Sequence, residues 1–191
     1  MAEIIKLVTP VFRVSFPNLF EPNEDGKYGL SAVWTPADFT DLDKKRWKAI
    51  MGGLDAESKR VFKKAWKDLP ANVKRGIRNG NEKEDMEGYG EGTRFASLSS
   101  KYRPGLVDLD KTPIGPEHGN DDLIYPGMYA RATVNIFSYN NEGKGVALGL
   151  NNVQRVRDGE RLDNRTDAGA DFEDDIEVDD FGADTEDFLD D

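Results

Sequence analysis

The sequence contains no cysteine and a single histidine, His118, among its 191 residues. Without cysteine the chain can form no disulfide, no thiolate metal site and no cysteine nucleophile. One histidine argues against a multi-histidine metal site and against a serine–histidine catalytic triad. The sequence also has no P-loop lysine motif, no Rossmann glycine run and no nucleophile elbow. We therefore expect a protein without catalytic activity and without a cofactor.

Long apolar runs are also missing. Hydrophobic residues make up 37% of the chain and charged residues 33%, and no segment is long and apolar enough to cross a bilayer. The first ten residues, MAEIIKLVTP, lack the charged start, apolar core and small-residue cleavage site of a signal peptide. These absences predict a cytoplasmic protein.

Basic residues are absent from one end of the chain, and this uneven distribution explains the net charge of −11. Residues 167–191 hold 13 of the 37 acidic residues and none of the 26 basic ones, so the rest of the chain is slightly basic. Residues 44–78 hold 12 basic and three acidic residues. We predict a folded body over residues 1–166 and a disordered acidic tail over 167–191, and a basic body permits a nucleic-acid partner.

Alternating apolar residues and turn signals predict a mainly β body. Pro10 predicts a kink or bulge in the first strand, and the turn at residues 140–143 predicts a hairpin between the last two strands. The five predicted strands cover residues 4–16, 27–35, 93–103, 127–139 and 144–157.

A helical insertion is predicted over about residues 36–79, between the second and third strands. Thr40 and Asp43 resemble a capping box, Asp55 with Glu57 suits the start of a second helix, and Pro70 suits the first turn of a third. The basic side chains of the second predicted helix lie off its apolar stripe. They are either a solvated face or phosphate contacts.

The fourth predicted strand has an unusual outward face. Its even-numbered positions are small or apolar, as the inside of a barrel requires, whereas the odd-numbered ones include Tyr129, Arg131, Phe137 and Tyr139. Exposed bases stack on aromatic rings, and arginine binds phosphate. We predict that this face binds single-stranded nucleic acid, the alternative being that another layer covers the rings.

The third strand ends in a basic–aromatic–basic run, Lys101, Tyr102 and Arg103, which we add to the predicted binding residues. Lys101 and Arg103 are expected to share one side of the strand end. Arg13 and Trp34 are further candidates on the first two strands, with an exposed charge and a core ring as their alternatives.

Two acidic pairs, Asp108 with Asp110 and Asp121 with Asp122, resemble the carboxylates of a two-metal nuclease. Such pairs are common in turns, and we expect no metal site. A metal-dependent nuclease is nevertheless one alternative function. The other is an acidic interaction module that mimics DNA and binds none itself.

The acidic tail carries isolated apolar residues and ends in Phe188, Leu189, Asp190 and Asp191. Its acids can compete with nucleic acid for the basic body, and its apolar residues can dock on partner proteins. A flexible segment of this length spans about 25–30 Å, so it can reach back over the body.

Two segments, KYRPGLVDLD at 101–110 and FSYNNEGKGVALGLNNVQRVRDGERL at 137–162, resemble a family of bacteriophage single-stranded DNA-binding proteins. The resemblance implies a five-stranded OB-fold barrel and sequence-independent binding to single-stranded DNA in replication, recombination or repair, within the infected bacterial cell. Acidic tails in such proteins recruit replication and recombination proteins and weaken DNA binding when unoccupied, and self-association along DNA is a further possibility. One departure is that a standard OB fold has its helix between strands three and four, whereas the helices predicted here lie between strands two and three.

Overall fold

The computed structural model describes residues 6–163, which form nine strands and one α-helix. The helix α1 covers Asp41–Phe62, and single 3₁₀ turns cover Pro36–Asp38, Trp66–Asp68, Gly80–Lys83, Pro116–His118 and Asp121–Leu123. The strands are β1 (Lys6–Val8), β2 (Phe12–Asn18), β3 (Tyr28–Trp34), β4 (Val73–Arg75), β5 (Arg78–Asn79), β6 (Arg94–Ser100), β7 (Gly105–Val107), β8 (Tyr129–Asn140) and β9 (Lys144–Arg157).

The five predicted strands are confirmed, with the first one interrupted where Pro10 predicted it. β1 and β2 lie on either side of Pro10, and both pair with β8. Thr9 bridges the break, because its backbone N–H donates to the carbonyl of Ala132 at 2.9 Å and its hydroxyl accepts from the N–H of Ala132 at 3.0 Å. The two halves therefore act as one bent strand.

The strands form a single OB-like sheet that curves back on itself. Pairing runs from β8 through β2, β3 and β6 to β9, and β9 also pairs with β8 along its length. Within residues 6–163, β6 and β9 share one residue pair, Ser99 with Gly149, while the short parallel strands β4 and β7 occupy the rest of that edge. Short strands thus fill the gap where the two long strands diverge.

The core lies on the inner face of this curved sheet. The even-numbered residues of β8 from Ala130 to Val134 are buried, as the alternation predicted, together with Phe12, Val14 and Leu98. The alternation that buries Phe12 and Val14 does not continue to Phe16. The pairing register shifts between Ser15 and Asn18, and Phe16 has φ 47° and is 58% exposed.

The helical insertion is one helix followed by short strands, rather than three helices. The capping box at Thr40 and Asp43 is confirmed, but α1 continues through Asp55 and Glu57 without a new start. Gly53, which could have ended the first helix, packs against Ile136 of β8, where a Cβ atom would clash with the isoleucine side chain. Tertiary packing thus keeps the glycine inside the helix.

The prediction of a third helix at Pro70 is also wrong. α1 ends where Lys63 adopts a left-handed conformation, and the chain then forms a 3₁₀ turn, β4 and β5. The Arg75 guanidinium donates to the carbonyls of Trp66, Lys67 and Leu69 at 2.9–3.2 Å. These carbonyls are satisfied by a side chain, so the segment needs no helix to pair them.

No helix among residues 6–163 is long and apolar enough to cross a membrane.

Candidate nucleic-acid interface

One end of β8 presents a pair of aromatic rings on its outward face. The ring centroids of Phe137 and Tyr139 are 6.3 Å apart with a 40° tilt, and Phe137 is 40% exposed. Their cross-strand partners on β9 are Ala147 and Gly145, and a Cβ atom at Gly145 would lie 2.5 Å from the Tyr139 ring. Because Gly145 has no side chain, the Tyr139 ring lies directly over it, while Phe137 remains exposed opposite Ala147. We call these four residues the aromatic face.

Free positive charge lies beside the aromatic face. A groove of about 770 Å³ runs between Tyr139, Lys74 of β4 and Ser97 of β6. Lys74 is the register partner of Gly145, the residue opposite Tyr139. Its side chain is exposed and has no ion-pair partner in the described part of the chain. Aromatic rings beside an unpaired ammonium group can stack bases and bind phosphate.

Two arginines near the groove bind other groups of the protein. Arg75 binds the carbonyls of residues 66–69, as described above. Arg78 pairs with Glu82, and its guanidinium lies 5.2 Å from the centre of the Phe95 ring. Of the basic segment 44–78, Lys74 is therefore the cation that lines the groove without a partner, and most of the remaining basic residues lie on the exposed surface of α1 and the turn after it.

The other end of β8 differs, although Tyr129 and Arg131 share its outward face as predicted. The Tyr129 ring is half-buried, and the Arg157 guanidinium lies 4.1 Å from the ring centre. Arg131 donates from Nε to Oε1 of Gln154 at 2.7 Å. Eight residues separate Tyr129 from Phe137, about 26 Å along a strand, so the structure does not bring these predicted residues into one cluster.

Lys101, Tyr102 and Arg103 follow β6 rather than extending it. β6 ends at Ser100, so the expectation that Lys101 and Arg103 share one side of a strand is wrong. Tyr102 is 81% exposed. The Arg103 guanidinium binds the Glu117 carboxylate at 2.9 and 3.1 Å and lowers the pKa of that carboxyl.

Trp34 is a core residue, so the prediction that it contacts nucleic acid is wrong. Its side chain is fully buried, and its indole Nε1 donates to the Pro10 carbonyl at 3.2 Å. The rings of Phe12 and Trp47 pack edge-on against it at 5.8 and 5.2 Å. A buried ring with a satisfied N–H offers no surface to a base.

Arg13 fastens backbone segments together. Its Nε donates to the Gly127 carbonyl at 3.3 Å and its Nη2 to the Glu160 carbonyl at 2.5 Å. The side chain is half-buried between these partners. Arg13 is therefore a structural clamp rather than a free phosphate ligand.

The acidic pairs do not converge. Asp108 pairs with Arg155 at 3.2 Å, and hydrogen bonds from Thr112 lower the pKa of Asp110. Residues 6–163 contain no group of three or more histidine, aspartate or glutamate side chains placed to hold a metal ion. The predicted tail residues Phe188, Leu189, Asp190 and Asp191 lie outside the described residues.

Sequence reasoning missed the residues that surround the aromatic pair. The hairpin register carried a signal for two of them, since a turn at residues 141–143 places Gly145 opposite Tyr139 and Ala147 opposite Phe137. No sequence signal marked Lys74 or Ser97, which reach the groove through β4 and β6 pairings across the sheet.

These features define an OB-like β protein with an exposed aromatic face on its longest hairpin. The family model described as Enterobacter phage Enc34, ssDNA-binding protein, matches residues 5–182, and the chain belongs to this family. Protein p50 of Acyrthosiphon pisum secondary endosymbiont phage 1 is 32% identical over 154 residues, which cover 78% of this chain and 81% of that protein.

Solved structures share the fold. The single-stranded DNA-binding protein from bacteriophage Enc34 superposes with a TM-score of 0.66 at 20% identity, covering 88% of this chain and 90% of that one. The same protein in complex with ssDNA gives 0.66 at 22% identity, covering 82% and 89%. The single-stranded DNA-binding protein gp2.5 of bacteriophage T7 gives 0.56 at 14% identity, covering 92% and 99%. At these identities the likeness shows the fold.

Proposed function

We propose that this chain is a phage-type single-stranded DNA-binding protein that binds without sequence preference and catalyses no reaction. The observation that carries the proposal is the aromatic face, where Phe137 is exposed and Tyr139 lines a groove together with the unpaired Lys74. Every base has a π-face and every nucleotide a phosphate, so stacking and charge bind DNA of any sequence. Membership of the family described by its ssDNA-binding phage protein supports this function.

The proposed DNA path crosses the aromatic face. Bases stack on Phe137 and Tyr139, and phosphates contact Lys74. Lys101 and Tyr102, exposed after β6, remain predicted contacts on the same grounds of charge and exposed ring. Arg103 can contribute only by exchanging Glu117 for a phosphate, because a carboxylate occupies its guanidinium. The chain's five long strands form the proposed OB-fold barrel.

The acidic segment 167–191 has two parts in the proposal. Its carboxylates compete with DNA for the basic surface, and its last residues, Phe188 to Asp191, recruit replication or recombination proteins of the phage or its host. Thirteen acids and no base in 25 residues support competition by charge. The protein would act in the cytoplasm of the infected bacterium, with self-association along DNA as a further part of the proposal.

The test is a fluorescence-anisotropy titration of labelled oligo-dT with the full chain and with a chain lacking residues 167–191, across about 50–200 mM salt. Affinity is expected to fall as salt rises, because bound phosphates release counterions. Removing the acidic segment is expected to tighten binding most at low salt, where screening is weakest.

The two parts of the proposal fail separately. Equal affinity with and without residues 167–191 at low salt would remove the competition, while leaving DNA binding intact. No binding by either chain at low salt would contradict the function and favour an acidic module that mimics DNA.

A further inference from the structure

A second groove lies on the same outward surface as the aromatic face, toward the other end of β8. Its volume is about 420 Å³, and its floor spans β1, β8, β9 and β7. Val8 pairs with Thr133 on one side of this floor, and Val107 pairs with Gln154 on the other. Neither the aromatic pair nor Lys74 belongs to it. We call it the aliphatic groove.

Three cations surround the aliphatic groove, namely Arg46 of α1, Lys111 of the turn after β7, and Arg131 of β8. No carboxylate lines it. Among residues 6–163, the side chains of Arg46 and Lys111 have no hydrogen-bond or ion-pair partner, and the side chain of Arg131 binds only the neutral amide of Gln154. The groove therefore carries three uncompensated positive charges.

Several arginines elsewhere in the chain are paired with carboxylates, unlike the cations of the aliphatic groove. Arg60 pairs with Glu57, Arg78 with Glu82, Arg103 with Glu117, and Arg155 with both Asp108 and Asp158. Each of these guanidinium groups has an acidic partner. The three cations around this one groove have none, and this indicates an anionic ligand that supplies the missing charge.

Gln154 holds this arrangement in place. Its Oε1 accepts from Arg131, while its Nε2 donates to the carbonyls of Asp108 and Leu109 at 3.3 Å. The same side chain thus orients Arg131 and fixes the turn that carries Lys111. A preorganised pair of cations loses less side-chain freedom on binding an anion.

We infer that the aliphatic groove is a second contact for the same DNA strand, which binds its phosphates and sugars rather than its bases. The inference rests on the proposed function. Arg131 and Phe137 are six residues apart on one face of β8, about 20 Å, so a strand lying on that face can meet both. The groove contains no aromatic ring, so it offers charge for phosphates and the aliphatic side chains of Val8 and Val107 for deoxyribose.

This inference predicts that the aliphatic groove matters for long DNA and not for short DNA. OB folds bind roughly 4–16 nucleotides, so labelled oligo-dT of about 6 and about 16 nucleotides separates the two surfaces. The full chain carrying Arg46→Gln, Lys111→Gln and Arg131→Gln is titrated with both lengths at several salt concentrations. The matched control carries Lys44→Gln, Lys45→Gln and Lys48→Gln, the same charge change on exposed and unpaired residues of α1 that do not line the groove.

The groove variant is expected to bind the long oligonucleotide about ten- to a hundredfold more weakly than the control at low salt. The slope of log affinity against log salt should become shallower by about 2, since three phosphate contacts are lost. Both variants should bind the short oligonucleotide alike. Lys111→Glu alone should also weaken long-oligonucleotide binding. Because Lys111 is exposed on a turn, this single variant tests the groove even if the triple variant misfolds.

Long-oligonucleotide binding equal to the control, in affinity and in salt slope, would overturn the inference while short-oligonucleotide binding still supports the proposed function. If the wild-type chain binds neither oligonucleotide, the proposed function itself is wrong. A third arm titrates a labelled peptide of residues 167–191. If the groove variant loses this peptide and keeps long DNA, the groove is a protein-docking site and the inference is wrong.

Discussion

The two ends of β8 carry the same kind of residues on the same face and differ in what covers them. At one end, Phe137 and Tyr139 lie opposite the small residues Ala147 and Gly145, and Phe137 is exposed. At the other, the ring of Tyr129 lies under Arg157. The comparison teaches that alternation assigns a side chain to a face, whereas the neighbouring strand decides whether that face is available to a ligand.

The covered end is also tied into the fold. Arg13, register partner of Tyr129, clamps the carbonyls of Gly127 and Glu160. The Tyr125 hydroxyl donates to the Asp158 carboxylate at 2.7 Å. At the aromatic face the cross-strand partners are instead the small residues Ala147 and Gly145, and Phe137 is exposed.

Removing both exposed rings should have the largest effect on DNA binding. Phe137→Ala with Tyr139→Ala removes two stacking surfaces worth about 1–3 kcal/mol each, so the affinity for oligo-dT should fall at least about 30-fold. Anisotropy titration measures this change, and thermal unfolding checks that the variant is folded. Tyr129→Ala is the matched removal at the covered end and should change affinity less than about twofold. Equal losses from both variants would contradict the distinction between the two ends.

A methyl group beneath Tyr139 should have the next largest effect. In Gly145→Ala the new Cβ atom would lie 2.5 Å from the Tyr139 ring, so the ring must move. Loss of one stacking position predicts about 5- to 100-fold weaker binding to oligo-dT. Gly143→Ala is the control, since a Cβ atom there meets nothing within 4 Å. Unchanged binding by Gly145→Ala would show that the position of Tyr139 does not matter.

Replacing the covered ring should change stability rather than DNA binding. Tyr129→Leu removes the contact with the Arg157 guanidinium, worth about 0.5–1 kcal/mol at an exposed site, together with part of the ring packing. We expect the Tm to fall by about 2–4 °C with affinity for oligo-dT unchanged. Tyr129→Phe keeps the ring and should keep the Tm. A loss of affinity in the leucine variant would place Tyr129 in the DNA path after all.

Sequence patterns predicted the strands of this fold well because each strand carries its own information. A small or apolar residue at every second position of β8 identified its inner face, and Pro10 marked the break between β1 and β2. The capping box of Thr40 and Asp43 is equally local, and the helix does begin there.

The predictions that were wrong concern contacts between segments that are distant in the sequence. Gly53 remains helical because it packs on Ile136, more than 80 residues away. Trp34 is buried because Phe12 and Trp47 enclose it. The groove beside Tyr139 depends on β4, which pairs with β9 across about 70 residues. None of these contacts leaves a periodic pattern in the sequence, so alternation alone could not have found them.

The smallest expected effect is the acid sensitivity of the covered end. Hydrogen bonds from Tyr125 and Arg155 hold the pKa of Asp158 below its usual value of 3.8. A carboxyl whose pKa is lowered by folding stabilises the native state above its unfolded pKa and loses that contribution as the pH falls through the folded value. The Tm of the full chain should therefore fall on acidification from about pH 6 to about pH 3, and Asp158→Asn should make this fall shallower. Glu142→Gln, in the hairpin loop at the other end of β8, is the control and should leave the profile unchanged. Asp158→Asn should not affect DNA binding at neutral pH, since its partners Tyr125 and Arg155 line neither groove. Weaker binding would mean that these residues also contact the DNA.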